Sequence, residues 1–169
     1  FVIGIFIGHS ILPPHPLVAA KDRPIYPTIY ITGSSGYAST MDTMINSVTA
    51  DKDTRAKKGL TIVVDTEHNY SLKVTGTIDK RNAYPTIEVG MVKGTNNSDK
   101  YEASLMAIMS YLGKHYNVAY ANVLGYSAGG GGVYHYLIDH GYDRSLPPIK
   151  KFVSLDGQYN ACTAQPDET

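Results

Sequence analysis

The sequence predicts an α/β protein, with a mostly parallel sheet and helices on both of its faces. Three observations carry that prediction. Short β-branched, apolar runs recur along the chain and end in glycine, proline or polar turns. Between several of them lie longer segments whose apolar residues return at helical spacing. No internal repeat or low-complexity segment interrupts the alternation.

The elements follow in order. "TIYIT" (residues 28–32) is a buried strand that stops at Gly33. The loop "GSSGYAST" leads into a helix with Met41, Met44, Ile45 and Val48 on one face, and Ser39 or Thr40 is placed to cap it. "LTIVVDT" (60–66) is a second buried strand. "SLKVTGTI" (71–78) alternates with a period of two, which predicts a half-exposed strand hairpinned to the one before it. "PTIEVGMV" (85–92) is another strand. A helix over 99–116 carries Leu105, Ile108, Met109 and Leu112 on one side. "ANVLG" (121–125) is a strand, 133–140 is helical, and "IKKFVSL" (149–155) is the last strand.

Composition narrows the function. The chain has 169 residues, and its fifteen basic residues balance fifteen acidic ones. With no net charge and no basic stripe, nucleic-acid binding is not expected. The single cysteine, Cys162, excludes an internal disulfide and a thiolate metal cluster. No group of histidines and carboxylates has ligand spacing, so neither a metal nor an organic cofactor is suggested.

The first residue is Phe, and Phe1 to Leu12 is an apolar run too short to span a bilayer as a helix. Followed by the small residues Val18-Ala19-Ala20 and polar Lys21-Asp22, it matches the core and cleavage site of a signal peptide. A buried first strand is the alternative. On the first reading residues 1–20 are a signal remnant, 21–169 form the folded domain, and the protein is secreted or held at the cell surface. Any membrane association would then run through that N-terminal segment.

"NVLGYSAGGGGVYHYL" (122–137) carries the chemistry. Gly125-Tyr126-Ser127-Ala128-Gly129 fits G-x-S-x-G, in which a serine sits on a strained strand-to-helix turn between small residues. A strand leads in and a helix follows, as the motif requires. A phosphate-binding loop is excluded, because no Gly-Lys-Ser/Thr follows the glycines and no G-x-G-x-x-G is present. A flexible hinge is the bland alternative, although glycines that let the helix pack closely serve an elbow equally well. Earlier in the chain, Thr32-Gly33-Ser34-Ser35-Gly36 follows the first strand, where an oxyanion loop would lie. There the N–H of Ser34 would join the N–H of Ala128 in holding a tetrahedral oxyanion. A plain Gly/Ser turn is the alternative for that segment alone.

These motifs make the sequence resemble an α/β-hydrolase, specifically the small bacterial family, often exported, of hydrolases of unknown function. "PTIYITGSSGYASTMDTMI" resembles the family's H-G-x-x-G segment and the helix after it. "NVLGYSAGG" resembles its nucleophile elbow, more often written G-H-S-M-G-G, and "PPIKKFVSLDGQYN" resembles the next strand and loop. The resemblance covers Pro27 to Asn160. Thr32 stands where a histidine is usual, which leaves the backbone donors intact, and Tyr126 replaces the common histidine before the serine.

In this fold the chain order is nucleophile, acid, histidine, the last two after later strands. The sequence runs only fourteen residues past Leu155, so it reads as the N-terminal two-thirds of such a domain, incomplete at its C-terminus. None of the six histidines suits the base. His9 and His15 lie in the N-terminal segment, and His68 precedes the nucleophile. His115 sits at a helix C-terminus, and His135 and His140 lie on a helix that leads away from Ser127. Asp156, just after the last strand, is a candidate acid, with an ordinary loop residue as the alternative. Asp65 reads as structural. The expected function is a serine hydrolase acting on a small-molecule carboxylic ester, or a thioester or amide. The alternative is an exported binding or scaffold protein that keeps the fold without a working triad. The oligomeric state is not legible in the sequence.

Overall fold

A computed structural model describes residues 23–159. The proposed signal segment at 1–20, with His9 and His15, lies outside the described residues, as does Cys162. The strands are β1 (Thr28–Ile31), β2 (Lys57–Asp65), β3 (Ser71–Gly76), β4 (Pro85–Met91), β5 (Ala121–Tyr126) and β6 (Ile149–Leu155). The α-helices are α1 (Asp42–Ala50), α2 (Ser98–His115) and α3 (Ala128–His140). The six strands form one sheet in the order β3-β2-β4-β1-β5-β6. Every pairing is parallel except β2 with β3.

Position in the sheet accounts for the strand sequences. β4 lies between β2 and β1 and is covered on both faces, so "PTIEVGM" is buried at every position but Glu88. β3 lies at one edge with no strand beyond it, and there "SLKVTG" exposes most of its side chains. Its lysine and its antiparallel turn suit an edge that must not recruit another strand.

The side-chain alternation divides the core in two. Ile29 and Ile31 of β1, with Ile62, Val64, Ile87, Val89 and Val123, pack against Leu105, Ile108, Met109 and Leu112 of α2 and Val133 and Tyr136 of α3. On the opposite face Tyr30 packs with Met41 and Ile45 at α1. The chirality of parallel crossovers explains the division. The chain moves one way along the sheet from β1 to β2 through α1. It returns the other way from β4 to β5 through α2, and continues to β6 through α3. Right-handed connections in opposite directions place their helices on opposite faces. The direction reverses at β1, and in open α/β sheets such a switch opens a crevice at the carboxyl ends of the strands. The loops after β1 and β5 lie there.

Two local expectations are corrected. α1 is entered through a 3-10 turn, Ala38–Met41, and neither Ser39 nor Thr40 caps it; the residue before the helix, Met41, has no side-chain capping bond. Helix α3 starts at Ala128 rather than at 133, so the whole glycine run is helical and buried. Four glycines in a helix interior are costly by propensity, about 1 kcal/mol each relative to alanine. Tertiary packing decides the outcome. A Cβ on Gly132 would stand 2.1 Å from the Cβ of Tyr101, and one on Gly131 would stand 2.3 Å from the carbonyl oxygen of Gln158. The run is a contact face for α2 and the chain after β6, not a hinge.

α2 is the best-terminated helix. The Asn97 side chain accepts the N–H of Asp99 at 2.9 Å, and Lys114 and His115 occupy the last turn, where cations favour the helix dipole. Among the described residues no helix is long and apolar enough to cross a membrane.

Candidate active site

The elbow follows from an abrupt change of direction. Ser127 still pairs with β6, donating its N–H to the Leu155 carbonyl at 2.9 Å, yet the next residue is already the first of α3. Compressing a strand end and a helix start into one residue forces Ser127 to φ 52°, ψ −122°, a conformation that favours glycine. Its carbonyl accepts from Gly130 at 2.9 Å, Gly131 at 3.3 Å and Gln158 at 3.2 Å, which hold the turn from the helix and from the chain after β6. The side chain makes no helix-capping bond, so the hydroxyl is not used to terminate α3. The helix then doubles back over β1. A Cβ on Gly129 would lie 2.2 Å from the Thr32 carbonyl oxygen, which is why the second glycine of the motif has no substitute here.

The loop after β1 lies against this turn. Thr32 is fully buried, and its N–H reaches the Val89 carbonyl at 3.3 Å. The loop closes as Gly36 donates to the Gly33 carbonyl at 3.0 Å, and the Gly36 carbonyl accepts from Met91 at 2.7 Å. A second bond to Gly33 comes from α2, where the buried Tyr101 hydroxyl donates to the same carbonyl at 2.5 Å. Burial raises the Tyr101 pKa, keeping the phenol a donor across the physiological range. A Cβ on Gly33 would lie 2.9 Å from the Cβ of Ser127 and 3.0 Å from the Tyr126 ring, so loop and serine are in van der Waals contact. Ser34 is exposed beyond that contact, and Ala128 is buried at the first position of α3. Among the described residues neither backbone N–H is taken by a hydrogen bond. Donors of this kind at a helix start carry partial positive charge.

Asp156 follows Leu155, the residue whose carbonyl pairs with Ser127, and so stands at the end of the strand next to the elbow. It is exposed, with φ 51°. The four described histidines sit elsewhere. His68 bonds Asp65 at 2.8 Å at the end of β2, and that bond, ahead of all other causes, holds the Asp65 carboxyl below its ordinary range. β2 is three strands from β5, a lateral distance of about 14 Å at the usual strand spacing. His115 stacks on Tyr111 with centroids 4.4 Å apart, at the far end of α2. His135 and His140 lie eight and thirteen residues along or beyond α3 from Ser127, at least about 12 Å by helical rise.

A strand, a strained serine, a glycine-lined helix and a backbone loop at the switch point of a parallel sheet agree with the comparison to known families. The model of the alpha/beta hydrolases of unknown function (DUF915) matches residues 16–169. The chain belongs to this family. The sheet and its covering helices also match two solved structures. One is the product of the gene lin2722 from Listeria innocua, 27% identical with a TM-score of 0.70, over 77% of this chain and 50% of that one. The other is a candidate cell surface hydrolase from Lactobacillus plantarum WCFS1, 22% identical with a TM-score of 0.70, over 83% of this chain and 56% of that one. The chain thus spans about half the length of both structures. No curated protein matches it.

One cluster in this family member was not legible in the sequence. Asp99 and Glu102 of α2 meet His135 of α3, with one ligand-type atom from each lying within 4.8 Å of the other two. His140 adds an ion pair to Glu102 at 3.2 Å. Burial, and then the charge of Asp139, raise the Glu102 pKa, against the opposing influence of His140 and His135. Asp99-x-x-Glu102 is a signal of one helix face, but thirty-two residues separate it from His135. Only the packing of α2 on the glycine face of α3 joins them.

Proposed function

We propose that the protein is a serine hydrolase that cleaves a carboxylic ester, or a thioester or amide, through an acyl-enzyme on Ser127. The observation that carries this is the Ser127 backbone, held at φ 52°, ψ −122° with the Gly33 loop in contact with its Cβ. A residue is kept in such a conformation only where surrounding structure over-determines it, and a hydroxyl presented at the carboxyl end of β5 is what an elbow of this kind provides. The Oγ attacks the acyl carbonyl, and the oxyanion that develops is stabilised by the N–H groups of Ser34 and Ala128. The Ser127 proton passes to a histidine that, in this fold, follows the nucleophile in chain order, with an acid between them. Asp156, one residue past the strand next to the elbow, is the candidate for that acid.

The hydrolase family and the structural likeness support the reading, and a neighbour named as a candidate cell surface hydrolase supports an exported or surface location. The N-terminal apolar run would then be the export signal. A fluorophosphonate probe tests the enzyme assignment. The full-length protein should be labelled on Ser127, and Ser127→Ala should not be. A full-length protein that stays unlabelled while folded would favour the alternative, a non-catalytic exported binding protein.

A further inference from the structure

We propose that Asp99, Glu102 and His135 form a site for a divalent transition-metal ion of the zinc class, which clamps α2 to α3. The site is independent of the serine chemistry. Its ligand atoms lie within 4.8 Å of one another and come from two helices that pack directly.

The distances also suit a shared ion. His135 Nδ1 and Asp99 Oδ1 form an ion pair at 3.7 Å. Two donors on one tetrahedral ion, with bonds of about 2.0–2.1 Å, stand about 3.4 Å apart, so this pair needs only a few tenths of an ångström of closure. The remaining ligand atom, on Glu102, lies within 4.8 Å of both of these residues' ligand atoms.

The donor chemistry selects the metal. One imidazole nitrogen with two carboxylates suits zinc and its first-row neighbours, whereas calcium and magnesium take oxygen ligands and leave an imidazole unused. Three protein ligands leave a fourth position on the ion, which a water would fill. The His140 contact holds Glu102 from its other side, as an outer partner orients a ligating carboxylate. Access is open, because the Asp99 side chain is 66% exposed while those of His135 and Glu102 are 14% and 16% exposed.

The placement gives the ion a structural role. It would fasten α2 to the helix that begins at Ser127, near the end of α2 whose Tyr101 holds the Gly33 carbonyl.

Titration of the untagged, full-length protein with zinc chloride after chelator treatment tests the proposal. We expect one saturable zinc site per chain and a rise in the thermal midpoint, with no such rise from calcium at the same concentration. Asp99→Asn and His135→Gln should each weaken zinc binding at least tenfold. Asp99→Asn alters an exposed carboxylate in the first turn of α2 and leaves the Asn97 cap in place, and circular dichroism confirms that each variant is folded. The absence of a saturable site would overturn the proposal. So would zinc binding of wild-type strength in both folded variants, which would put the metal on other histidines.

Discussion

Replacing Ser127 by glycine should stabilise the protein while removing its nucleophile. Ser127 has φ 52° and ψ −122°, where a side chain is disfavoured, at a cost of order 1–3 kcal/mol. Glycine removes that strain, but at an ordinary site glycine is less stable than alanine by about 0.5–1 kcal/mol because it loses more chain entropy on folding. Giving up the contacts of one half-buried Cβ costs a few tenths more on the scale of about 0.8 kcal/mol per buried methylene. The balance favours glycine by about 1 kcal/mol relative to alanine, or about 2–4 °C in the midpoint for a chain of this size. Alanine is the correct reference, because it removes the hydroxyl and retains the strained Cβ. Thermal and urea unfolding of Ser127→Gly and Ser127→Ala, side by side, measure the difference. The usual order of alanine above glycine is expected to reverse. If alanine proves as stable as glycine or more so, the serine carries no backbone strain and the elbow argument fails, whatever the labelling experiment shows.

Two further perturbations probe the supports of the site. Tyr101→Phe removes one of the two hydrogen bonds to the Gly33 carbonyl, leaving the one from Gly36, which should cost about 0.5–1.5 kcal/mol. With ester turnover established, kcat should fall more than KM rises, because the loop that positions the oxyanion donors is loosened; an unchanged kcat would separate Tyr101 from the site. Glu88 of β4 has its pKa raised, first by burial and then by the neighbouring Asp42 carboxyl, outweighing the opposite effects of Thr61 and Lys58. The folded state therefore holds the Glu88 proton more tightly than the unfolded chain. The associated stability is complete below the unfolded pKa, about 4.5, and is lost as pH rises through the higher folded value. Glu88→Gln should raise the thermal midpoint at pH 8 and flatten the decline that begins as pH rises above about 4.5, and a lower midpoint at pH 8 would contradict this.

Local physics explains why so much of the fold was legible. Buried parallel strands are nearly continuous apolar runs, so "TIYIT", "LTIVVDT", "PTIEVGMV", "ANVLG" and "IKKFVSL" announced β1, β2, β4, β5 and β6 within a few residues. The alternation of "SLKVTGTI" announced β3 as a half-exposed partner of β2, which is its place at the sheet edge. The glycine run was harder to read, because helix propensity argues against four glycines and only close packing by Tyr101 and Gln158 argues for them.

By itself the sequence determined the α/β class, the succession of strands and helices, and the serine worth testing, because each rests on hydrophobic period or on a motif within a few residues. The tertiary structure decided what depends on contacts between distant segments. It set the order β3-β2-β4-β1-β5-β6, which puts the loop of Gly33 against Ser127 across a reversal of direction. It carried the Tyr101 hydroxyl to the Gly33 carbonyl, sixty-eight residues away in the chain. It also gathered Asp99, Glu102 and His135 from two helices. Such encounters are governed by which faces pack together, and a one-dimensional pattern shows that a face exists without showing what it meets.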